Sequence, residues 1–182
     1  MNHLAMAIVT VLFLSSCANL APEEYVEPKI GNTATLTIIN NTVGTIGLAV
    51  YADPVECRDR VAHRPVLKSS ETRTLKILAD QNFAFTLHMV AGGSSVEMTC
   101  DMTLVYVPRA GHSYSVRTYI EGPFSKQYCV PQLVESSVGS DGKQTSLPVA
   151  FESRRQNRPW GNSGSWCEKS SGVVGTLSPS AP

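Results

Sequence analysis

A polar–apolar alternation with a period of two is the feature that most constrains the fold of this chain. It recurs in several runs between Ala34 and Phe151. The clearest runs place apolar side chains at every second position: Phe83, Phe85, Leu87 and Met89, then Met98, Cys100, Met102, Leu104 and Tyr106, then Tyr114, Val116 and Ile120. Successive side chains of a strand point to opposite faces, so this period predicts strands with one buried face and one solvated face. Thr86 and His88, between the apolar positions, are predicted to be solvated.

Turn residues separate these runs at Gly92-Gly93, at Pro108 to Gly111 and at Gly139 to Gly142. About seven or eight short strands at this spacing predict an all-β domain over residues 34–156. The expected fold is an antiparallel β-sandwich of the immunoglobulin-like or transthyretin-like kind, and a partly open barrel is the alternative. Only Pro54 to His63 is typical of a short helix, of one or two turns.

The cysteines divide into one near the N-terminus, Cys17, and four in the rest of the chain. The four are Cys57, Cys100, Cys129 and Cys167. An even number in an exported chain predicts two disulfides, and three pairings are possible. A zinc site is the alternative, but no two of these cysteines have the C-x-x-C spacing typical of zinc ligands. We therefore expect no metal.

The N-terminal apolar run, Leu4 to Leu14, is too short to span a bilayer, which takes roughly 20 residues. Its length is typical of the apolar region of a signal peptide. The run ends in Leu14-Ser15-Ser16-Cys17, which resembles the lipobox of bacterial lipoproteins. A conventional secretory signal, with Cys17 left as a free thiol, is the alternative.

The lipobox resemblance implies that residues 1–16 are removed and that Cys17 carries acyl chains such as palmitate. Residues 17–33 would then form a lipidated N-terminus and a flexible tether, rich in proline and glutamate. Ala18 follows the cysteine where many lipoproteins of the inner membrane have aspartate. The resemblance therefore implies the periplasmic side of the outer membrane, or the cell membrane if the protein is retained there.

Charge and motifs exclude several function classes. The 15 basic and 15 acidic residues cancel, which argues against a nucleic-acid partner. Phosphate-binding and dinucleotide-binding glycine motifs are missing from the sequence. The nearest string to a nucleophile elbow, around Ser163, lacks the second glycine. We therefore expect no catalytic residues, no cofactor and no enzymatic activity.

One local charge cluster lies at the end of the predicted domain. It consists of Arg154, Arg155, Arg158 and Trp160. Arg and Trp are enriched where proteins bind partners, so the cluster is a candidate partner-binding surface, with a solvated surface as the alternative. The last two residues of the cluster belong to the C-terminal segment 157–182, which is rich in Gly, Ser and Pro. We expect this segment to be a disordered tail that is partly fixed at Cys167.

Two further segments carry a second resemblance. The chain resembles a loose group of small, cysteine-containing bacterial lipoproteins at Cys57-Arg58 and from Cys100-Asp101 through Pro108 to Val116. This resemblance implies a β-sandwich behind a lipid anchor and supplies no catalytic residues. The expected function is a non-enzymatic periplasmic binding or assembly module with an envelope protein partner. The alternatives are an enzyme acting on envelope glycan or peptide, and an inhibitor of a hydrolase.

Overall fold

The computed structural model describes residues 24–93, 96–122, 128–138, 143–157, 159, 164–168 and 174–175. These residues form strands and turns, with no helix among them. The strands are β1 (Thr33–Ile39), β2 (Thr45–Asp53), β3 (Arg58–Leu67), β4 (Thr72–Leu78), β5 (Phe83–Gly93), β6 (Val96–Tyr106), β7 (Ser113–Glu121), β8 (Tyr128–Val138), β9 (Gln144–Pro148), β10 (Phe151–Gln156), β11 (Cys167–Glu168) and β12 (Val174–Gly175). Within the described ranges, no helix is long and apolar enough to cross a membrane.

The strands form two packed sheets, which confirms the predicted β-sandwich. The smaller sheet has the order β4–β1–β7–β8–β9. The larger has the order β11–β10–β6–β5–β2–β3, and β12 also pairs with β10. One pair departs from the antiparallel expectation, because β1 runs parallel to β7, with Thr35 opposite Ser113.

The core lies between the two sheets and is built by the alternation seen in the sequence. On β1 the inward residues Leu36 and Ile38 are fully buried, while Thr35 and Thr37, on either side of Leu36, face outward. On β5 the apolar series from Phe83 to Met89 faces the same core. Each such side chain contributes about 1.5–3 kcal/mol on burial, so this interface holds the sheets together.

Part of the opposite face of β5 is also buried, contrary to the expectation for Thr86, whereas the side chain of His88 is 41 % exposed as expected. Ala84 and Thr86 are both inaccessible to solvent. Ala84 packs in a second apolar cluster with Tyr51, Cys57 and Cys167. The C-terminal segment around Cys167 covers this part of the sheet, which the alternation within β5 does not reveal.

The two predicted disulfides are confirmed. Cys57 pairs with Cys167, at a Cα–Cα distance of 5.6 Å, and Cys100 pairs with Cys129, at 6.3 Å. The first attaches the C-terminal segment to the turn before β3. The second joins β6 of the larger sheet to β8 of the smaller one.

The segment predicted as a short helix, Pro54 to His63, is a turn followed by β3. The Asp53 carboxylate accepts hydrogen bonds from the amides of Val55, at 3.0 Å, and Glu56, at 3.1 Å, which stabilises the turn. Cys57 and Asp59 have left-handed backbones, with φ of 49° and 52°. Left-handed residues interrupt a right-handed helix, so the helix expectation is wrong here.

The described part of the predicted tether is attached to the edge of the sandwich. Glu24 pairs with Ala62 of β3 in parallel, and the Tyr25 amide donates a hydrogen bond of 3.1 Å to the Ala62 carbonyl. The Tyr25 hydroxyl donates to the Lys76 carbonyl of β4, at 2.8 Å. Tyr25 therefore joins an edge strand of one sheet to an edge strand of the other.

Candidate functional site

The predicted arginine surface is wrong at Arg154, whose side chain is buried. Its residue exposure is 8 %, and its Nη1 donates a hydrogen bond of 2.6 Å to the Val55 carbonyl. The same nitrogen lies 3.8 Å and 3.7 Å from the sulfurs of Cys57 and Cys167. Its Nη2 pairs with Glu152 at 2.9 Å. The Arg154 side chain therefore lies against the disulfide, and its hydrogen bond to Val55 stabilises the turn before β3.

Of the other residues in the predicted partner-binding cluster, the structure describes Arg155. Arg155 follows on the opposite face of β10 and is exposed. Arg158 and Trp160 lie outside the described residues, as does Cys17. The lipid attachment at Cys17 thus remains a prediction.

A charged cluster closes one end of the sandwich, at the loop before β7. Glu135 on β8 pairs with Arg109 at 2.5 Å and with His112 Nδ1 at 2.7 Å. The hydrogen bond from Arg109 is the main cause that lowers the pKa of the Glu135 carboxyl below its ordinary value. A carboxylate held ionised by two partners is a weak proton acceptor. This cluster therefore fixes the loop to β8, and it does not have the properties of a general base.

Elsewhere, His88 and Asp101 face each other across β5 and β6, with Nδ1 and Oδ1 2.5 Å apart. No group of three or more potential metal ligands occurs in the part of the chain that the structure describes.

The outer face of the smaller sheet carries rows of polar side chains, and we call it the hydroxyl face. The strand register places one row of five in a line across all five strands: Lys76, Thr35, Ser113, Ser136 and Ser146. The next row begins with Thr74, Thr37 and Ser115, and it ends in Val134 and Pro148. The parallel pairing of β1 with β7 brings the threonines of one strand beside the serines of the other.

A groove of about 490 Å³ runs over the hydroxyl face. Arg117 and Gln132 lie opposite each other within it, on β7 and β8. Arg117 is exposed, it forms no ion pair with a described residue, and the described side chains that line the groove include no carboxylate. The groove is therefore a polar site with one uncompensated positive charge.

Two tyrosines extend this face beyond the groove. Tyr119 and Tyr128 project from the same side of β7 and β8 as Arg117. Tyr128 is 54 % exposed, and the Tyr119 hydroxyl donates a hydrogen bond of 3.3 Å to Gln132. Each ring offers a flat apolar surface with a polar tip.

A second concave site, the tether cavity, lies at the edge where the N-terminal segment meets the sandwich. Its volume is about 640 Å³. Its apolar wall is formed by the tether and by the strands β2 to β5: Tyr25, Val26, Val50, Tyr51, Ala52, Pro54, Val61, Leu78 and Phe83. Glu24, Gln81 and Asn82 complete the lining. Burial, reinforced by the charge of Glu27, raises the pKa of Tyr25 to about 12.

The chain matches no protein-family model, no curated protein and no solved structure in the comparisons.

Sequence reasoning missed both concave sites for identifiable reasons. The outward threonines of β1 are visible in the alternation, but only the parallel register places them beside Ser113 and Ser115. The tether cavity depends on Glu24 pairing with Ala62, and no local signal predicts that contact.

Proposed function

We propose that this protein is a non-enzymatic binding module, held at the bacterial envelope by a lipid on Cys17. Its ligand is a polysaccharide that bears carboxylate groups, and it binds through the hydroxyl face. The observation that carries the proposal is the Arg117 guanidinium, which has no ion-pair partner among the described residues, in a groove lined by hydroxyl groups.

The hydroxyl rows support a sugar ligand because each hydroxyl can both donate and accept a hydrogen bond. Neighbouring strands lie about 4.8 Å apart, so the row through Ser113 and Ser136 presents polar groups at regular spacing along an extended polymer. These side chains project from a sheet, so little freedom is lost when they bind. Such a surface suits many weak contacts along a chain.

The tyrosines and the arginine supply the remaining chemistry. Tyr119 and Tyr128 offer apolar faces on which a sugar ring can pack. Arg117 matches a carboxylate because its planar guanidinium can donate two parallel hydrogen bonds. A carboxylate on the glycan would meet no negative charge among the described residues that line the groove.

The proposed anchor makes weak binding sufficient. A lipid on Cys17 holds the module at the membrane, where the effective concentration of a neighbouring cell wall is high. The lipobox resemblance at Leu14 to Cys17 supports this location. The same location on the periplasmic side of the outer membrane would place the hydroxyl face within reach of cell-wall glycan.

The test is co-sedimentation of the protein with purified, insoluble cell-wall sacculi. Arg117→Ala should weaken binding about 10- to 100-fold, because a hydrogen bond to a charged group contributes about 1.5–3 kcal/mol. Arg117→Lys should bind with intermediate affinity, and Arg155→Ala, an exposed arginine on the other sheet, should bind like the wild type. Equal binding by Arg117→Ala and Arg155→Ala would refute the proposal.

The same sacculi separate the alternatives. Release of soluble fragments by the wild-type protein would indicate a glycan-acting enzyme. Crosslinking in intact cells that recovers one stoichiometric protein complex, together with no binding to sacculi, would indicate an assembly module.

A further inference from the structure

We propose that the tether cavity binds one acyl chain of an aminophospholipid from the membrane in which the protein is anchored. The inference rests on the proposed lipid anchor, and it adds a second ligand to the glycan proposed for the hydroxyl face. It is carried by the apolar wall, by the charge of the rim and by the distance of the cavity from Cys17.

The cavity has the size and lining of a site for an apolar ligand. Its volume of about 640 Å³ lies within the range of roughly 300–1,000 Å³ typical of small-molecule sites. Val26, which is 77 % exposed, and Leu78 leave apolar surface open to solvent beside it. An acyl chain packed there would remove this apolar surface from water, which favours binding.

The chain itself sets how far the cavity can be from a membrane. Glu24 and Val26 line the cavity, and Cys17 lies seven residues before Glu24. Even a fully extended segment of this length spans only about 25 Å. If Cys17 is acylated, the cavity is therefore held within about one bilayer-core thickness of the lipid surface. Acyl chains are then the most concentrated apolar ligand nearby.

The rim favours a particular headgroup. Among the described residues of the lining, Glu24 is the charged one, and none is a lysine or an arginine. A carboxylate attracts the ammonium group of an aminophospholipid and repels a headgroup with a net negative charge. The amides of Gln81 and Asn82 can donate hydrogen bonds to the lipid phosphate.

The experiment is photolabelling in vesicles of phosphatidylcholine. The full-length protein, purified from membranes, is reconstituted with a small fraction of phosphatidylethanolamine that carries a photoreactive group at the end of one acyl chain. Labelled residues are mapped by mass spectrometry. We expect labelling at Val61 and at Phe83, a core residue that is 6 % exposed and also lines this cavity.

Val26→Asp and Val43→Asp form a matched pair. Val43 is a solvent-exposed valine in the turn between β1 and β2, with 82 % exposure, and it is absent from the cavity lining. Val26→Asp should lower labelling of Phe83 at least ~10-fold, because it places a carboxylate against the acyl chain. Val43→Asp should label within about 2-fold of the wild type. Labelling that is missing, or equal in the two variants, would overturn the proposal.

Two further arms test the choice of occupant. A photoreactive phosphatidylglycerol that labels Phe83 more strongly than phosphatidylethanolamine would refute the headgroup assignment. Stronger labelling of Cys17→Ala than of the wild type would mean that the protein's own acyl chain fills the cavity, and would also overturn the proposal. Flotation of the unlabelled protein with the vesicles reports the anchor alone. Flotation therefore tests the proposed anchor, and labelling of Phe83 tests the proposed lipid site, so either proposal can be refuted without the other.

Discussion

Replacing both Cys57 and Cys167 with alanine should lower the free energy of unfolding by about 4–5 kcal/mol. The two cysteines are separated by 110 residues in sequence. A disulfide lowers the entropy of the unfolded chain by an amount that grows with the logarithm of the number of residues in the loop that it closes. The loop-closure relation gives about 4.8 kcal/mol at 25 °C for a loop of this length. The second disulfide lies inside this loop and shortens it to about 80 residues, which reduces the value to about 4.5 kcal/mol.

The control is the other pair. Cys100 and Cys129 are 29 residues apart, so replacing both should cost less, about 3.6 kcal/mol. Urea unfolding of the wild type and the two double variants measures both quantities, because the difference in midpoint and slope gives the change in free energy. A larger loss from the Cys100 and Cys129 pair would refute the loop-length reasoning.

Hydrogen exchange distinguishes local from global effects of the first change. The Trp166 amide donates a hydrogen bond of 3.0 Å to the Cys57 carbonyl, beside the disulfide. Without the disulfide, this amide should exchange faster than the β5 amides if the C-terminal segment opens by itself. Equal acceleration of Trp166 and β5 would mean that the disulfide stabilises only the whole domain.

Two other predictions concern single side chains. Arg154→Ala should destabilise the domain by about 2–4 kcal/mol, because it leaves the Val55 carbonyl and the Glu152 carboxylate without their partner. As the control, Arg155→Ala should change stability by less than about 0.5 kcal/mol. Equal losses of stability for the two variants in thermal unfolding would contradict this prediction. Burial raises the pKa of Tyr25 from 10.0 to about 12, so its contribution to stability should be fully present below pH 10 and should be lost as the pH rises through 12. Tyrosinate absorbance of wild type and Tyr25→Phe measures this pKa, and a difference spectrum that titrates near pH 10 would contradict it.

The sequence predicted individual strands well because a sandwich core imposes a local pattern. The apolar series of β5, from Phe83 to Met89, faces the core as its alternation predicts. Whether such a residue faces the core follows from its position within its own strand. Local periodicity contains that information.

The predictions of solvent exposure are wrong where a segment distant in the sequence covers the residue. Thr86 looks solvated from the pattern of β5, but it is buried, with its hydroxyl oxygen 2.7 Å from that of Tyr51. Arg154 looks like part of a surface cluster, but the disulfide from Cys57 to Cys167 lies over it. The burial of Arg154 depends on Cys167 of the C-terminal segment, and the Thr86 hydroxyl contacts Tyr51 of β2; no short-range pattern specifies either contact.

The candidate sites share this dependence. The hydroxyl face is formed by the pairing of β1 with β7, and the tether cavity is formed by the pairing of Glu24 with Ala62. Neither could be predicted from strand patterns, because both are pairings between segments far apart in the chain. The uncompensated charge of Arg117 becomes visible only after the sheet order is known.

The parallel pairing of β1 with β7 has a consequence for folding during synthesis. A chain that emerges from its N-terminus can pair β1 with β4 early, but β1 lacks its second neighbour until Ser113 to Arg117 have been made. Until then β1 has an open edge, which can pair with another chain. High contact order of this kind slows folding, so we expect the nascent protein to need protection by a chaperone until β7 arrives.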